Sequence, residues 1–386
     1  MKRKISTFIC FGIMLVVGMI FVIIGPLLAE ISKTFSLTLS QSGLIFAANF
    51  IGFSVFVILG GITADHWGKK KVLSIAMAGI ALSLLILPLS PSFFIICLIT
   101  VFTGGFLGIL ESMTTALVAD LNPSNASFYI NLTQVFFGIG AFVGPMMAGL
   151  MVSSGFSWKQ CYFVLGGLMA VMTILFVADR IPSLPNPDKI EWVGFKNLVT
   201  DWKFILICLC VLFYTGSEVG GWGWMSTFLE ENMGFPIEKS SLAVSVFWLA
   251  LIAGRVLCTS LTLKFSVRFL TIVLAFSSVA ATVLSALVRS ELAIWLAITA
   301  MGLAYSSLFP LIIAYGSSQY RKYTGTVFAL LMGSGGVGMA LIPFLLGLAG
   351  QYIGIRVAMM SPAVLFLLIG IILLNINNVR PKMENS

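Results

Sequence analysis

Three side chains carry a formal charge where the surrounding sequence is hydrocarbon: Glu111, Glu218 and Arg255. Glu111 follows Gly104-Gly-Phe-Leu-Gly-Ile-Leu and precedes Ser112, Thr114 and Thr115. Glu218 lies in Tyr214-Thr-Gly216-Ser-Glu218-Val-Gly-Gly-Trp222-Gly-Trp224, where the glycines suggest a helix able to bend. A charge at the centre of a bilayer costs about 2.5–3.5 kcal/mol on insertion scales and marks a functional candidate by default. A carboxyl withdrawn from water favours its neutral form, which suits a proton carrier; a permanent Glu–Arg pair that only locks helices is the structural alternative. Gln134 and Asn49 add amides able to bond a hydroxylated substrate, and Trp222, Trp224, Trp248 and Tyr305 add flat faces for C–H groups. The same aromatics serve ordinary packing equally well. The six cysteines lie in apolar runs without C-x-x-C spacing, and His66 is the single histidine, so no metal or cofactor site is expected.

The elements that hold these residues must be membrane-spanning helices. The chain has 386 residues, 59% hydrophobic and 9% charged, with a mean hydropathy of +1.08. Soluble domains carry about a quarter charged residues, so a soluble enzyme, a disordered chain and a nucleic-acid binder are excluded despite the net charge of +8. Apolar runs broken by charges, Gly and Pro predict twelve spans, near 5–29, 41–64, 71–89, 93–119, 128–153, 158–178, 203–229, 239–263, 268–288, 291–317, 323–350 and 355–377. The basic Lys2-Arg3-Lys4 start opens the first span, whose apolar run is too long for a signal peptide. With that end in the cytosol, sixteen Lys and Arg fall in cytosolic segments against five opposite, so both termini are expected in the cytosol of a bacterial-type plasma membrane.

The longest polar connection, 181–202, divides the chain into an N-terminal bundle (1–180) and a C-terminal bundle (203–386). The halves repeat in a fixed register: Gly138, Pro145 and Gly149 match Gly336, Pro343 and Gly347, and Ser42, Leu44 and Lys70 match Ser240, Leu242 and Arg268, each pair 198 apart. The expected fold is all-α, twelve transmembrane helices in two pseudo-symmetric six-helix bundles, an architecture that places substrate at midplane between repeats.

Loop 2–3 reads Gly61-Ile-Thr-Ala-Asp65-His-Trp-Gly68-Lys69-Lys70-Lys71. This is similar to the signature of the major facilitator superfamily, in which such a loop latches the cytosolic side. Gly61 is expected to let helices approach, Gly68 to permit a tight turn, and Asp65 to cap or pair with basic residues such as Lys69 and Lys70. Leu107-Gly-Ile-Leu-Glu111 through Asn122-Pro123 and Asn131-Leu-Thr-Gln134 resemble the fucose:proton symporter family. Tyr214-x-Gly216-x-Glu218, and Phe247-Trp248 followed by Gly254-Arg255, resemble its glucose/mannose:proton symporter branch. The resemblance implies a secondary transporter of neutral sugars driven by protons, or by sodium in some members, with Glu111 linked to substrate or proton and Gln134 contacting sugar.

Two departures matter. Val22 stands where the fucose permease has a span-one acid, and Phe137 stands where a further amide is expected. Coupling would then rest on Glu111 and Glu218, with Arg255 neutralising one of them. The expectation is a monomeric, non-enzymatic, proton-coupled importer of a hexose or similar small polyol, embedded in the bilayer and acting on no nucleic acid. A proton-antiport exporter of lipophilic compounds is the alternative, favoured by the Phe- and Met-rich composition.

Overall fold

The computed structural model describes residues 2–179, 198–320 and 324–376. Twelve helical segments there are long and apolar enough to cross a membrane. The first six spans are α1 (Lys2–Phe35), α2 (Leu39–Trp67), α3 (Lys69–Ile86), α4 (Phe93–Leu121), α5 (Ala126–Ser153) and α6 (Trp158–Ala178). α7 (Trp202–Met233), α8 (Ile237–Leu261) and α9 (Val267–Leu287) follow. Span ten is broken into α10 (Glu291–Tyr305) and α11 (Leu308–Gln319); α12 (Thr324–Ile353) is span eleven, and α13 (Ile355–Ala358) with α14 (Ser361–Asn375) makes span twelve. Most of the linker, 180–197, lies outside the described residues.

Local chemistry explains the ends. Thr38 caps α2 through a reciprocal pair with Gln41, and Ser157 does the same for α6 with Gln160, satisfying amides that a helix start leaves bare. Gly68 joins α2 to α3 at φ +81°, a conformation that suits glycine. α1 runs past the expected end at residue 29 and carries there the pair of Glu30 with Lys33 one turn on, at 2.6 Å. The expected single span 291–317 is interrupted at Ser306-Ser307, four residues before Pro310, which has no amide hydrogen to continue the helix. α7, by contrast, runs unbroken through its glycines. Those glycines admit neighbours instead: a methyl on Gly220 or Gly223 would strike Leu346 or Phe46.

The 198-residue register is carried by contacts. Gly104 packs on the Asn49 carbonyl, and Gly302 packs on the Phe247 carbonyl. Ser42 shares a 2.7 Å hydrogen bond with Ser32, and Ser240 donates to Glu230 at 2.9 Å. Lys70 donates to the last carbonyls of the α6 end, Val177 and Asp179, and Arg268 donates to Leu373 and Leu374 at the end of α14. Cations there meet the negative end of the helix dipole. The molecule is therefore two pseudo-symmetric sets of six spans. Gly25 and Gly223, themselves one register apart, meet across the axis, and a methyl on Gly25 would stand 3.0 Å from the Gly223 carbonyl oxygen.

Candidate functional site

The two sets of spans meet along α1 with α7, α2 with α12, and α5 with α8. At the end where α1 finishes, far from the chain termini, they are in close contact. Gly43 meets Phe344, Gly149 meets Glu238 and Ser241, and the Ser40 amide donates to Gln351 at 3.3 Å.

Between this seam and the terminal end, the three charges sit on different helices. Glu111 is on α4, Glu218 on α7 and Arg255 on α8, and the last two of these helices pack on one another. Among the described residues no direct ion pair joins them. Arg255 Nε donates to the carbonyl of Ser306 at 3.0 Å, and Glu218 Oε1 is buried without a hydrogen-bond partner. Tyr214, one turn before Glu218, donates to the Tyr305 carbonyl at 3.0 Å.

One helical turn beyond Glu218, Trp222 sits in a group of rings drawn from both halves. Its centroid is 5.8 Å from Phe21 of α1, 6.3 Å from Phe46 of α2 and 6.4 Å from Trp248 of α8. Phe137 of α5 closes the group at 5.4 Å from Phe21 and 6.0 Å from Trp248. The indole N–H groups of Trp222 and Trp248 are both buried and unbonded. A buried donor without a partner costs about 1–3 kcal/mol. Two such donors among aromatic rings, and a carboxylate oxygen one turn away along α7, can be satisfied by a ligand that both accepts and donates hydrogen bonds and has apolar faces.

The remaining expected residues fall in other places. Gln134 is half-buried on α5. Trp224 is fully buried, with its N–H on the Pro343 carbonyl at 2.9 Å, pinning α7 to α12. Tyr305 is buried inside the second half, its hydroxyl 2.7 Å from Thr282 and its ring 4.5 Å from Phe366. Asn49 turns into a small cavity inside the first half, beside Thr100, Thr103 and Tyr162. At the terminal end, Lys69 pairs with Asp120 at the end of α4; the side chain of Asp65 lies outside the described residues. The expectation for Gly61 needs correction, because the space beside it is open. The close approach belongs to Gly60, where a methyl would stand 2.7 Å from Ile109, since the two positions face about 100° apart on the helix.

Sequence reasoning passed over Phe21, Phe46 and Asp120, and noted Phe137 only as a missing amide. An acid in the last turn of a span beside a lysine-rich loop was a readable signal for Asp120. Three phenylalanines among 32 had none.

Residues 10–329 and 225–386 match the family model of the Major Facilitator Superfamily. A TsgA homolog of Buchnera aphidicola subsp. Schizaphis graminum (strain Sg) is 26% identical over 333 residues, 84% of this chain and 83% of that one. Sodium-dependent glucose transporter 1A of Mus musculus is 22% identical over 372 residues, covering 87% of each chain. Among solved structures, the nucleoside transporter NupG superposes with a TM-score of 0.84 at 12% identity, over 97% of this chain and 99% of that one. The E. coli fucose:proton symporter FucP gives 0.66 at 18% identity, over 97% and 98%.

Proposed function

This chain belongs to the major facilitator superfamily, and we propose that it takes up a hexose or similar small neutral polyol together with protons, by alternating access. It is a membrane-embedded transporter of small molecules and not an enzyme. The observation that carries the sugar reading is the set of unbonded polar atoms, Glu218 Oε1, Trp222 Nε1 and Trp248 Nε1, among aromatic rings at the seam between the halves. A pyranose offers hydroxyls to the polar atoms and C–H faces to the rings. Glu111 and Glu218 supply the proton-bearing groups, Arg255 the counter-charge, and Gln134 a further sugar contact. The relative described as a glucose transporter and the neighbour described as a fucose:proton symporter support the same substrate class.

In this reading the protein works as a monomer in a bacterial cytoplasmic membrane, its two halves, 1–180 and 203–386, rocking about the seam, with the termini and the loop of Asp65 and Lys69 in the cytosol. Thermal unfolding of the purified protein with a panel of ligands tests it. A sugar at about 100 times its Kd adds about 2.7 kcal/mol, so one hexose or polyol is expected to raise the melting temperature where nucleosides and lipophilic cations do not. Stabilisation by nucleosides alone, or by lipophilic cations alone, would replace sugar as the substrate class.

A further inference from the structure

The first half contains a small cavity walled by α1, α2, α4 and α6. Isoleucines make most of the wall, and four polar side chains interrupt them: Asn49 of α2, Thr100 and Thr103 of α4, and Tyr162 of α6. All four are more than nine-tenths buried. The threonine hydroxyls donate to the Ile96 and Ile99 carbonyls at 2.6 and 3.0 Å, and their oxygens still have lone pairs to accept with. No described residue is hydrogen-bonded to the Asn49 amide or the Tyr162 hydroxyl. Phe21 also lines the cavity, and its ring belongs to the group around Trp222, 5.8 Å away.

The internal repeat shows that the fold does not require these polar groups. One register on, 198 positions along the chain, Asn49, Thr100 and Thr103 are replaced by Phe247, Ile298 and Met301. Those three are buried, and the Phe247 ring packs on Tyr305 at 5.7 Å. The second half builds the same crossing, Gly302 on the Phe247 carbonyl as Gly104 on the Asn49 carbonyl, with apolar side chains beside it.

We propose that this cavity holds one ordered water molecule, bound by Asn49, Thr100, Thr103 and Tyr162. The room open to the centre of a water-sized sphere is about 20 Å³, and about 10–15 Å³ of such room accommodates a water. Buried waters make about three hydrogen bonds each. Here the Asn49 amide and the Tyr162 hydroxyl donate to the water oxygen, and its hydrogens go to the threonine oxygens. A buried polar group without a partner is costly, and one water relieves Asn49 and Tyr162 together. A cation is the poorer occupant: no carboxylate lines the wall, so an ion would leave its hydration shell for neutral oxygens without a counter-charge. Asn49 then bonds water inside the first half instead of substrate at the seam. The water backs Phe21, so it supports the ring group from the first half only. The assignment holds whatever the substrate is.

The test is radiolytic labelling of the purified full-length protein by a brief X-ray pulse, read residue by residue by mass spectrometry. Hydroxyl radicals form from ordered internal water as well as from bulk, and they oxidise the side chains beside it. Tyr162 is expected to label several-fold faster than Phe247, although both are buried. Asn49→Leu combined with Thr100→Val keeps the side chains close to their size and removes two partners, so Tyr162 labelling is expected to fall to the rate of Phe247. Thr100→Val alone, the milder change, is expected to lower it in the same direction. Tyr162 labelling as slow as that of Phe247 in the wild type would overturn the proposal. Undiminished labelling in both variants would do the same, since the radicals would then be reaching Tyr162 from bulk solvent. A melting temperature that sodium chloride raises over choline chloride in the wild type, and not in the double variant, would replace the water by sodium.

Discussion

A group that carries a proton through hydrocarbon must lose and regain its charge in one place, and few residues within the spans of this chain are ionisable. If Glu111 is the group that releases the proton, Glu111→Gln mimics its protonated form permanently. The variant is expected to exchange sugar across vesicles but to lose uphill accumulation under a proton gradient; accumulation at the wild-type level would reject the assignment. Glu218 lies one turn from the unbonded Trp222 indole. Glu218→Gln is therefore expected to weaken sugar binding itself, by about 1–3 kcal/mol if a substrate hydrogen bond is lost. Gln134→Ala is expected to cost a similar amount, and more for the preferred sugar than for its deoxy analogue at the contacted hydroxyl. Equal losses for both compounds would give Gln134 a structural role. The charged trio is legible in the sequence because a charge in an apolar run is rare and costly. Phe21, Phe46 and Phe137 are not, because one ring in a Phe-rich membrane helix looks like any other until the neighbouring helix is known.

Elements determine which side of the molecule can open. At the end remote from the termini, α1 meets α7 through Gly25 and Gly223, and α2 meets α12 through Gly43 and Phe344. The absence of side chains on the axis is what permits that closure. Gly25→Leu places a branched side chain against the Gly223 backbone and is expected to hold this end open. Transport should be lost, and a cysteine placed at Ser40, beside Gln351 in the closed seam, should react with a membrane-impermeant maleimide much faster than in the Gly25 parent. Unchanged labelling would show that the glycine pair does not govern the seam. Hydropathy reads the twelve spans well, because length and apolarity are all that crossing requires. It passes over the break in span ten because a window average dilutes Ser306, Ser307 and Pro310; the missing Pro310 amide is visible in the sequence, and the tertiary structure adds which donors meet the freed carbonyls.

Across the whole molecule, contacts repeat one register apart at the Gly104 and Gly302 crossings, the Ser42 and Ser240 hydroxyls and the Lys70 and Arg268 caps. The lysine-rich loop belongs to this scale. Lys69 ties α3 to α4 through Asp120, and Lys70 ties it to α6, so both hold the first half together at the terminal end. Asp65→Asn is expected to slow net transport with little change in sugar affinity, as befits a rim latch. Asp120→Asn removes a partly exposed ion pair worth about 1 kcal/mol at most, so it is expected to shift the balance of open states by roughly fivefold or less. Binding losses as large as the transport losses in either variant would place the loop in the substrate site.

The sequence by itself determined the membrane class, the number of spans, the repeat and its register, and the identity of the buried charges. All of these follow from composition, periodicity and position along one chain. Tertiary structure alone decided that Arg255 rests on a backbone carbonyl instead of a carboxylate, and that Trp222 and Trp248 keep unbonded N–H groups while the Trp224 N–H and the Tyr305 hydroxyl are bonded. The reason is that a partner is a property of two helices. Glu111 and Arg255 are separated by 144 positions in the chain, and no local pattern specifies what stands opposite a side chain across a helix interface.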